Sequence, residues 1–282
     1  MSAKGTIRRF AGLLAIAARL DLGWLLRDTK YALAAITADI LSSISAVAGI
    51  YLTALRFGGI GGMSADEVLF MLAYSTVVSG LFDLFGTSNN LHISRIIGRG
   101  QLEHLFMQPL PIPVQLVTSG FAPFTGGSTF LVGCILLSVA AKRLALYVTV
   151  RWLFLLLIAV LSTVAIVTAQ SYLASSAAFY SPAAAEEISS TVVEGTWQLG
   201  VFPLSGMPLA VQLPLLTILP QGLTAWFPAL WLLGKPPLGL PGLYLPAFAL
   251  LLSVIAGYFF RKGLRYYVTK GSGRYVPYGF RS

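Results

Sequence analysis

Trp152-Leu153-Phe154-Leu155-Leu156-Leu157-Ile158-Ala159-Val160-Leu161-Ser162-Thr163-Val164-Ala165-Ile166-Val167-Thr168-Ala169 opens a run that continues to Ala185 without one Asp, Glu, Lys or Arg. An α-helix crosses the hydrocarbon core of a bilayer in about 20 residues, and this run exceeds that. Working outward, three more uncharged runs extend from Leu105 to Ala141, from Gly195 to Gly234 and from Pro236 to Phe260. A soluble domain needs polar faces toward water on its helices and strands, and a chain of 282 residues cannot hide four such runs. The sequence therefore specifies an all-α integral membrane protein.

Composition narrows the function classes. Apolar residues make up 56% of the chain and charged residues 10%, against about 25% charged in soluble domains. No stretch is polar enough for a second, water-soluble domain, so residues 1–282 read as a single transmembrane domain. The net charge of +9 lies beside apolar spans, as orientation and lipid-headgroup signals do. Nucleic acid is not an expected partner, because a binder clusters its basic residues on a folded surface. The lone cysteine, Cys134, excludes an intrachain disulfide and a CxxC metal site.

Six spans are predicted, over Ala32–Leu55, Glu67–Gly86, Val114–Ala141, Leu146–Phe179, within Thr191–Pro220, and over Leu243–Phe260. Pro203, Pro208, Pro214 and Pro220 punctuate the fifth, which predicts a kink or break. Gln221 to Gly234 is apolar and tryptophan-containing but too short to cross, and is predicted to form a re-entrant or interfacial hairpin. Ahead of the spans, Ile7, Phe10, Leu13, Leu14 and Ala17 recur at helical spacing, with Arg8, Arg9 and Arg19 mostly off that face. This predicts an amphipathic helix lying in the interface rather than a cleaved signal peptide, since Arg19 and Asp21 end the apolar patch early. With the N-terminus inside, inner segments carry 14 Lys and Arg and outer segments five, which places both termini in the cytoplasm. Lys142 and Arg143 run against that bias. No sequence repeat of the kind found in inverted-repeat transporters is visible.

No catalytic, cofactor-binding or metal-ligating constellation is present. There is no Walker A pattern, no HExxH and no GxSxG, and His92 and His104 alone do not make a metal site. Asp39, Asp83, Arg151 and Glu194 are the ionisable residues within or beside spans. Such residues are functional candidates, but all four fall near span ends, where headgroups and water solvate them. Neither Asp39 nor Asp83 is expected to carry a transported proton.

The most informative connection is Ser94-Arg95-Ile96-Ile97-Gly98-Arg99-Gly100-Gln101-Leu102-Glu103-His104-Leu105-Phe106-Met107-Gln108-Pro109-Leu110-Pro111. It reads as a short amphipathic helix, a glycine break, a second short helix and a proline stop. Ile93, Ile96 and Ile97 supply an apolar edge; Arg95, Arg99 and Glu103 supply polar handles. Lying on lipid headgroups and docking a soluble cytoplasmic partner are the two uses this pattern allows.

Ile97-Gly98-Arg99-Gly100-Gln101-Leu102-Glu103, with Gln108-Pro109-Leu110 behind it, resembles the G-x-L-x-x-L-x-x-P-L loop of ABC-2-type transporter permeases, the six-span membrane subunits of ABC exporters. Many members carry a basic residue where this chain has Gln108. Leu219 to Gly234 is similar to the family's extracytoplasmic re-entrant hairpin, and Gly263-Leu264-Arg265-Tyr266-Tyr267 with Gly271 to its ending. The resemblance covers essentially the whole chain. It implies a type V ABC exporter-like fold: six transmembrane helices, an N-terminal interfacial elbow helix (Ile7, Arg8, Arg9, Phe10, Leu13, Leu14), a cytoplasmic coupling helix and a re-entrant hairpin before the last span. It implies a multi-pass protein of a prokaryotic inner membrane, paired with a second permease, identical or paralogous. Two ABC ATPase subunits would dock beneath and hold the ATP and Mg, with no cofactor in this chain. Ile93 to Glu103 would be the coupling contact, seated through its isoleucines, and the first, second and fifth spans would line the dimer interface and path. A cargo that is hydrophobic or amphipathic suits spans without a charged ring. An ion-coupled secondary transporter and a non-transporting scaffold or assembly component are the competing readings.

Overall fold

The computed structural model describes residues 3–85, 91–110 and 112–271. Arg274 and Arg281, counted among the inner basic residues, lie outside them. Among the described residues the structure is helical, with one isolated bridge, between Ile60 and Met63, closing the turn before the second long apolar helix.

Helix α1 covers Ala3–Arg27, α2 Thr29–Phe57 and α3 Ala65–Leu84. Short helices α4 (Ile93–Gly98), α5 (Leu102–Phe106) and α6 (Ile112–Ser119) follow, then α7 (Ser128–Arg143) and α8 (Val150–Ser175), which runs on as a 3₁₀ turn over Ser176–Phe179. Helix α9 spans Ile188–Gly200, α10 Leu209–Thr217, α11 Trp226–Leu232 and α12 Tyr244–Lys270. Four helices are long and apolar enough to cross a membrane: α2, α3, α8 with its 3₁₀ extension, and α12. A fifth is reached if α10 and Pro220–Leu232, bent by 70° across a short break, count as one.

Two expected spans differ from the prediction. Val114–Ala141 is not one helix, because Gly120 to Gly127 interrupts it between α6 and α7. Within Thr191–Pro220, α9 has 13 residues, or about 20 Å at 1.5 Å per residue, short of the roughly 30 Å hydrocarbon core. Prolines explain the second difference. Pro208 precedes α10, Pro214 sits inside it and Pro220 opens the next turn, each removing a backbone donor.

Helix α3 is the hub. A capping box starts it: the Ser64 hydroxyl accepts from Glu67 N, while Glu67 Oε2 accepts from Ser64 N at 2.8 Å. Val68 through Val78 are then buried, because α7 packs along it and α2, α8 and α11 also contact it. The α7 crossing is close because both partners contribute glycine. A Cβ on Gly80 would run into the Phe130 backbone, and one on Gly133 would lie 2.6 Å from Val77 N. Small residues at a membrane crossing let backbones approach and gain dispersion contacts.

The chain has two ends. At the far end, α10, the Pro220–Leu223 turn and α11 form a folded-back cap. Side chains of α8 and α12 donate to its irregular backbone. Trp152 Nε1 donates to Leu232 O at 3.2 Å, Tyr244 Oη to Leu216 O at 2.9 Å and Thr163 Oγ1 to Leu223 O at 3.4 Å. Acids at the start of α3 neutralise two basic residues there: Glu67 takes Lys235 at 2.6 Å and Asp66 takes Arg143 at 3.5 Å. Arg143, which ran against the charge bias, is thus a paired residue.

At the other end sit α1, α4, α5 and the end of α12. Asp21 of α1 accepts from Phe124 N at 2.7 Å, Thr125 N at 3.2 Å and Thr125 Oγ1, so it ties α1 to the break between α6 and α7. Leu20, Trp24 and Leu26 of α1 remain exposed.

Candidate functional site

Residues 91–110 form a knob at this second end, and the knob is anchored within the chain. Ile93 and Ile97 are 0% exposed, packed with Leu102, Leu116, Phe179 and Tyr267; Ile96 is half-buried on the same cluster. The apolar edge read from the sequence is real, but the chain's own α6, α8 extension and α12 cover it. As the chain folds here, Ile93 and Ile97 present no surface to a partner's groove, and Ile96 presents part of one. Gly98 is buried too: a Cβ there would lie 2.8 Å from Pro182 O and 3.0 Å from Glu186 Cβ. Gly100 is half-buried and takes φ 67°, the left-handed turn between the two short helices.

The polar handles are also largely engaged within the chain. Arg95 Nη2 meets Glu187 Oε2 at 2.6 Å, and Arg99 Nε meets Glu186 Oε1 at 2.8 Å. Ser94 Oγ donates to Glu186 O at 2.7 Å or shares a proton with Ser189 Oγ at 2.6 Å, and it accepts from Ser189 N at 3.2 Å. His92 Nδ1 lies 2.8 Å from Ser190 Oγ. The knob is thereby fastened to the segment that starts α9. The hydrogen bond from Arg95 pulls the Glu187 carboxyl below its ordinary value. Burial, then the Arg95 charge, hold His92 below 6.5. Gln115, a residue the sequence reading passed over, donates to Leu105 O at 2.9 Å and Leu110 O at 2.6 Å, closing the knob's far side.

What faces outward is the rim. Gln101, Glu103 and His104 are exposed, Phe106 is 43% exposed and Met107 74%. On α1, Arg9 is exposed and Phe10, Leu13 and Leu14 are half-buried; Ile7 and Arg8 belong to the helix, but their side chains lie outside the described residues.

Three of the four ionisable span residues converge, though they lie on three different helices. A cleft of about 530 Å³ between α2, α3 and α9 is bordered by Asp39 and Asp83. An adjoining recess of about 150 Å³ shares Ser79, Asp83 and Trp197 with it and adds His92 and Glu194. Arg151 stands apart, exposed at the far end. Among the described residues no group of three or more His, Cys, Asp or Glu could hold a metal ion.

No curated protein and no solved structure matches the chain. The family described as ABC-2 family transporter protein matches residues 40–271, from within α2 through the end of α12. That range takes in the knob, α9 and the folded-back cap, and leaves α1 outside. With helices apolar enough to span a membrane and a match over most of its length, the chain belongs to the ABC-2 transporter family, a family of multi-pass membrane transport components.

Proposed function

We propose that this chain is the membrane-spanning permease subunit of an ABC transporter. It pairs with a second permease, identical or paralogous, and with two ATPase subunits, to export a hydrophobic or amphipathic substrate. The observation that carries the reading is the knob, whose inner half is locked to the chain and whose apolar rim, Phe106 and Met107, projects into the open. Helices α4 and α5 then act as the coupling element. Helix α1 is the interfacial elbow, and Leu219 to Gly234 the re-entrant hairpin. Six crossings result if α6 with α7 makes the third, and α9 with α10 the fifth. Both termini lie in the cytoplasm, and the membrane is a prokaryotic inner membrane. ATP and Mg belong to the ATPases.

Force needs a stiff contact with two arrangements to travel through. When ATPase closure shifts the knob, Ser94–Ser189, Arg95–Glu187 and Arg99–Glu186 carry the shift to α9, which borders the cleft through Trp197 and Gln198. Large apolar side chains left exposed along α2, Leu33, Leu41, Ile44 and Leu52 among them, with the exposed Asp39 on the same helix, support pairing across that face.

Co-purification tests the reading. ATP hydrolysis recovered with the affinity-purified chain from native membranes should fall at least tenfold in Met107→Asp and further in Phe106→Asp with Met107→Asp. That fall corresponds to about 1.4 kcal/mol of lost contact. Full recovery with the double variant at equal chain levels sinks the coupling assignment. Ile97→Asp is a poor substitute, because it buries a charge in the chain's own core. One observation favours an ion-coupled transporter instead: the convergence of Asp39, Asp83 and Glu194. Transport that survives without ATP but collapses with the proton gradient would select it.

A further inference from the structure

The cleft between α2, α3 and α9 is polarised along its length. Its knob-side end holds Asp39 and Asp83, with Glu194 in the adjoining recess. Ser42, Ser43, Ser75, Thr76 and Ser79 form a hydroxyl belt above them. Ile50 on α2 and Leu72 on α3 lie three turns from Asp39 and Asp83, about 16 Å at 1.5 Å per residue, with Val47 and Val201 nearby on the same wall. The two helices run in opposite directions, yet both place a carboxylate at the same end and an aliphatic side chain at the other.

Charge in the cleft has one sign. Neither cavity is bordered by a Lys or Arg, and among the described residues none of the three carboxylates has an ion-pair partner. His92, the one bordering base, is disfavoured from charging by burial and by Arg95. A second observation is independent of the acids. Ser75 is 8% exposed, borders the cavity and has no hydrogen-bond partner among the described residues. A buried hydroxyl facing open space is a group that awaits a ligand or water. Trp197 borders both cavities, and an indole beside carboxylates is a good neighbour for an organic cation. The volume falls within the range of small-molecule sites.

We propose, resting on the permease reading, that this cleft selects cationic amphiphiles, taking the positive group at Asp39, Asp83 and Glu194 and the apolar body against Val47, Ile50 and Leu72. Low-dielectric walls strengthen attraction of a cation and repulsion of an anion alike. The cleft therefore discriminates by sign of charge between molecules of one shape.

Tetraphenylphosphonium and tetraphenylborate are such a pair. The full chain in phosphatidylcholine nanodiscs should bind the cation saturably, above empty nanodiscs, and at least tenfold more tightly than the anion. Asp39→Asn with Asp83→Asn should weaken cation binding at least tenfold. Equal binding of the two ions, or an unchanged affinity in the double variant, overturns the proposal. A second measurement needs no acid variant to fold. With Cys134→Ala as background, Ser79→Cys should react at least tenfold faster with a cationic methanethiosulfonate than with its anionic counterpart, relative to a free thiol; equal relative rates overturn the proposal. Failure here and failure of the permease reading are separable. Lost charge discrimination with ATPase recovery intact removes the cargo class alone. Lost ATPase recovery with discrimination intact removes the permease reading alone.

Discussion

The two ends of the molecule are built on different physics. The cap at Leu209–Leu232 is held by aromatic side chains that combine apolar area with a hydrogen bond, Trp152 and Tyr244 to the backbone and Trp226 to the Ser205 hydroxyl. The knob at Leu91–Leu110 is held to α9 by two ion pairs whose side chains remain substantially exposed, and by a serine pair. Buried aromatic contacts cost several kcal/mol to disturb, whereas exposed ion pairs contribute little. The cap is thus fixed to the core through Leu223, Trp226 and Phe227. The knob's ion pairs to α9 are the looser link, while its isoleucines stay packed on the chain's own core. Motion is expected at the knob end and not at the cap.

The largest test of that contrast is Trp226→Ala. Trp226 is 1% exposed and donates to Ser205 Oγ at 2.8 Å, so its loss should cost about 3–5 kcal/mol. The thermal midpoint of the detergent-solubilised chain, followed by size-exclusion monodispersity, reads this. A cost below about 1 kcal/mol would mean that the cap is not a fixed element. Ser94→Ala should come next. It leaves Ser189 and Glu186 O without their partner in a buried setting, for about 1–3 kcal/mol, with faster amide exchange confined to the start of α9. A cost equal to that of Trp226→Ala would erase the difference between the ends.

Arg95→Glu sharpens the comparison in another way. The pair with Glu187 faces water, so the thermal midpoint should not move measurably. The transmission should. In the purified assembly, ATP-dependent change in amide exchange along α9 should vanish in Arg95→Glu and return in Arg95→Glu with Glu187→Arg. A response that persists in the single variant shows that Ser94–Ser189 and Arg99–Glu186 transmit without the Arg95–Glu187 pair.

Much of this architecture was legible in the sequence because hydropathy reports the solvent. The charge-free runs from Trp152 and from Pro236 marked α8 and α12, and the prolines from Pro203 to Pro220 marked where another would break. The interruption at Gly120-Phe121-Ala122-Pro123-Phe124-Thr125-Gly126-Gly127 was written in turn-forming residues, but lipid-like composition on both sides masked it. Amphipathic spacing revealed the apolar edge of Ile93 and Ile97 but not what covers it, since spacing does not distinguish a neighbouring helix from a partner protein. Arg95 and Arg99 read as free handles because Glu186 and Glu187 lie across a whole span. The acidic cleft was illegible for the same reason. Asp39, Asp83 and Glu194 each look peripheral on their own helix, and only the antiparallel packing of α2 on α3, with α9 alongside, brings them together. Asp21 counted only as a residue that ends an apolar patch, whereas its carboxylate closes the Phe124–Thr125 turn.

The smallest expected effect is a pH dependence at the knob. His92 Nδ1 lies 2.8 Å from Ser190 Oγ, and burial, then the Arg95 charge, hold it below its ordinary 6.5 against the opposing pull of Glu194 and Glu187. A base with a depressed folded pKa is bound to fewer protons in the folded chain than in the unfolded one. Its contribution is therefore full above 6.5 and declines as pH falls from there toward the lower folded value, where it levels off. Glu187 does not titrate in this window, since Arg95 lowers its pKa further. Amide exchange of residues 92–98, corrected for intrinsic rates, should show the knob opening more often at about pH 5.5 than at about pH 7.5, by less than roughly tenfold. The cap should show no such change, because among the described residues no histidine lies there. His92→Gln can retain a hydrogen bond to Ser190 without titrating and should flatten the response. If acid loosens the Gln variant equally, His92 is not the sensor. If wild type keeps the same protection at both pH values, the knob is anchored by its buried apolar contacts and by the serine and ion pairs, with no contribution from His92.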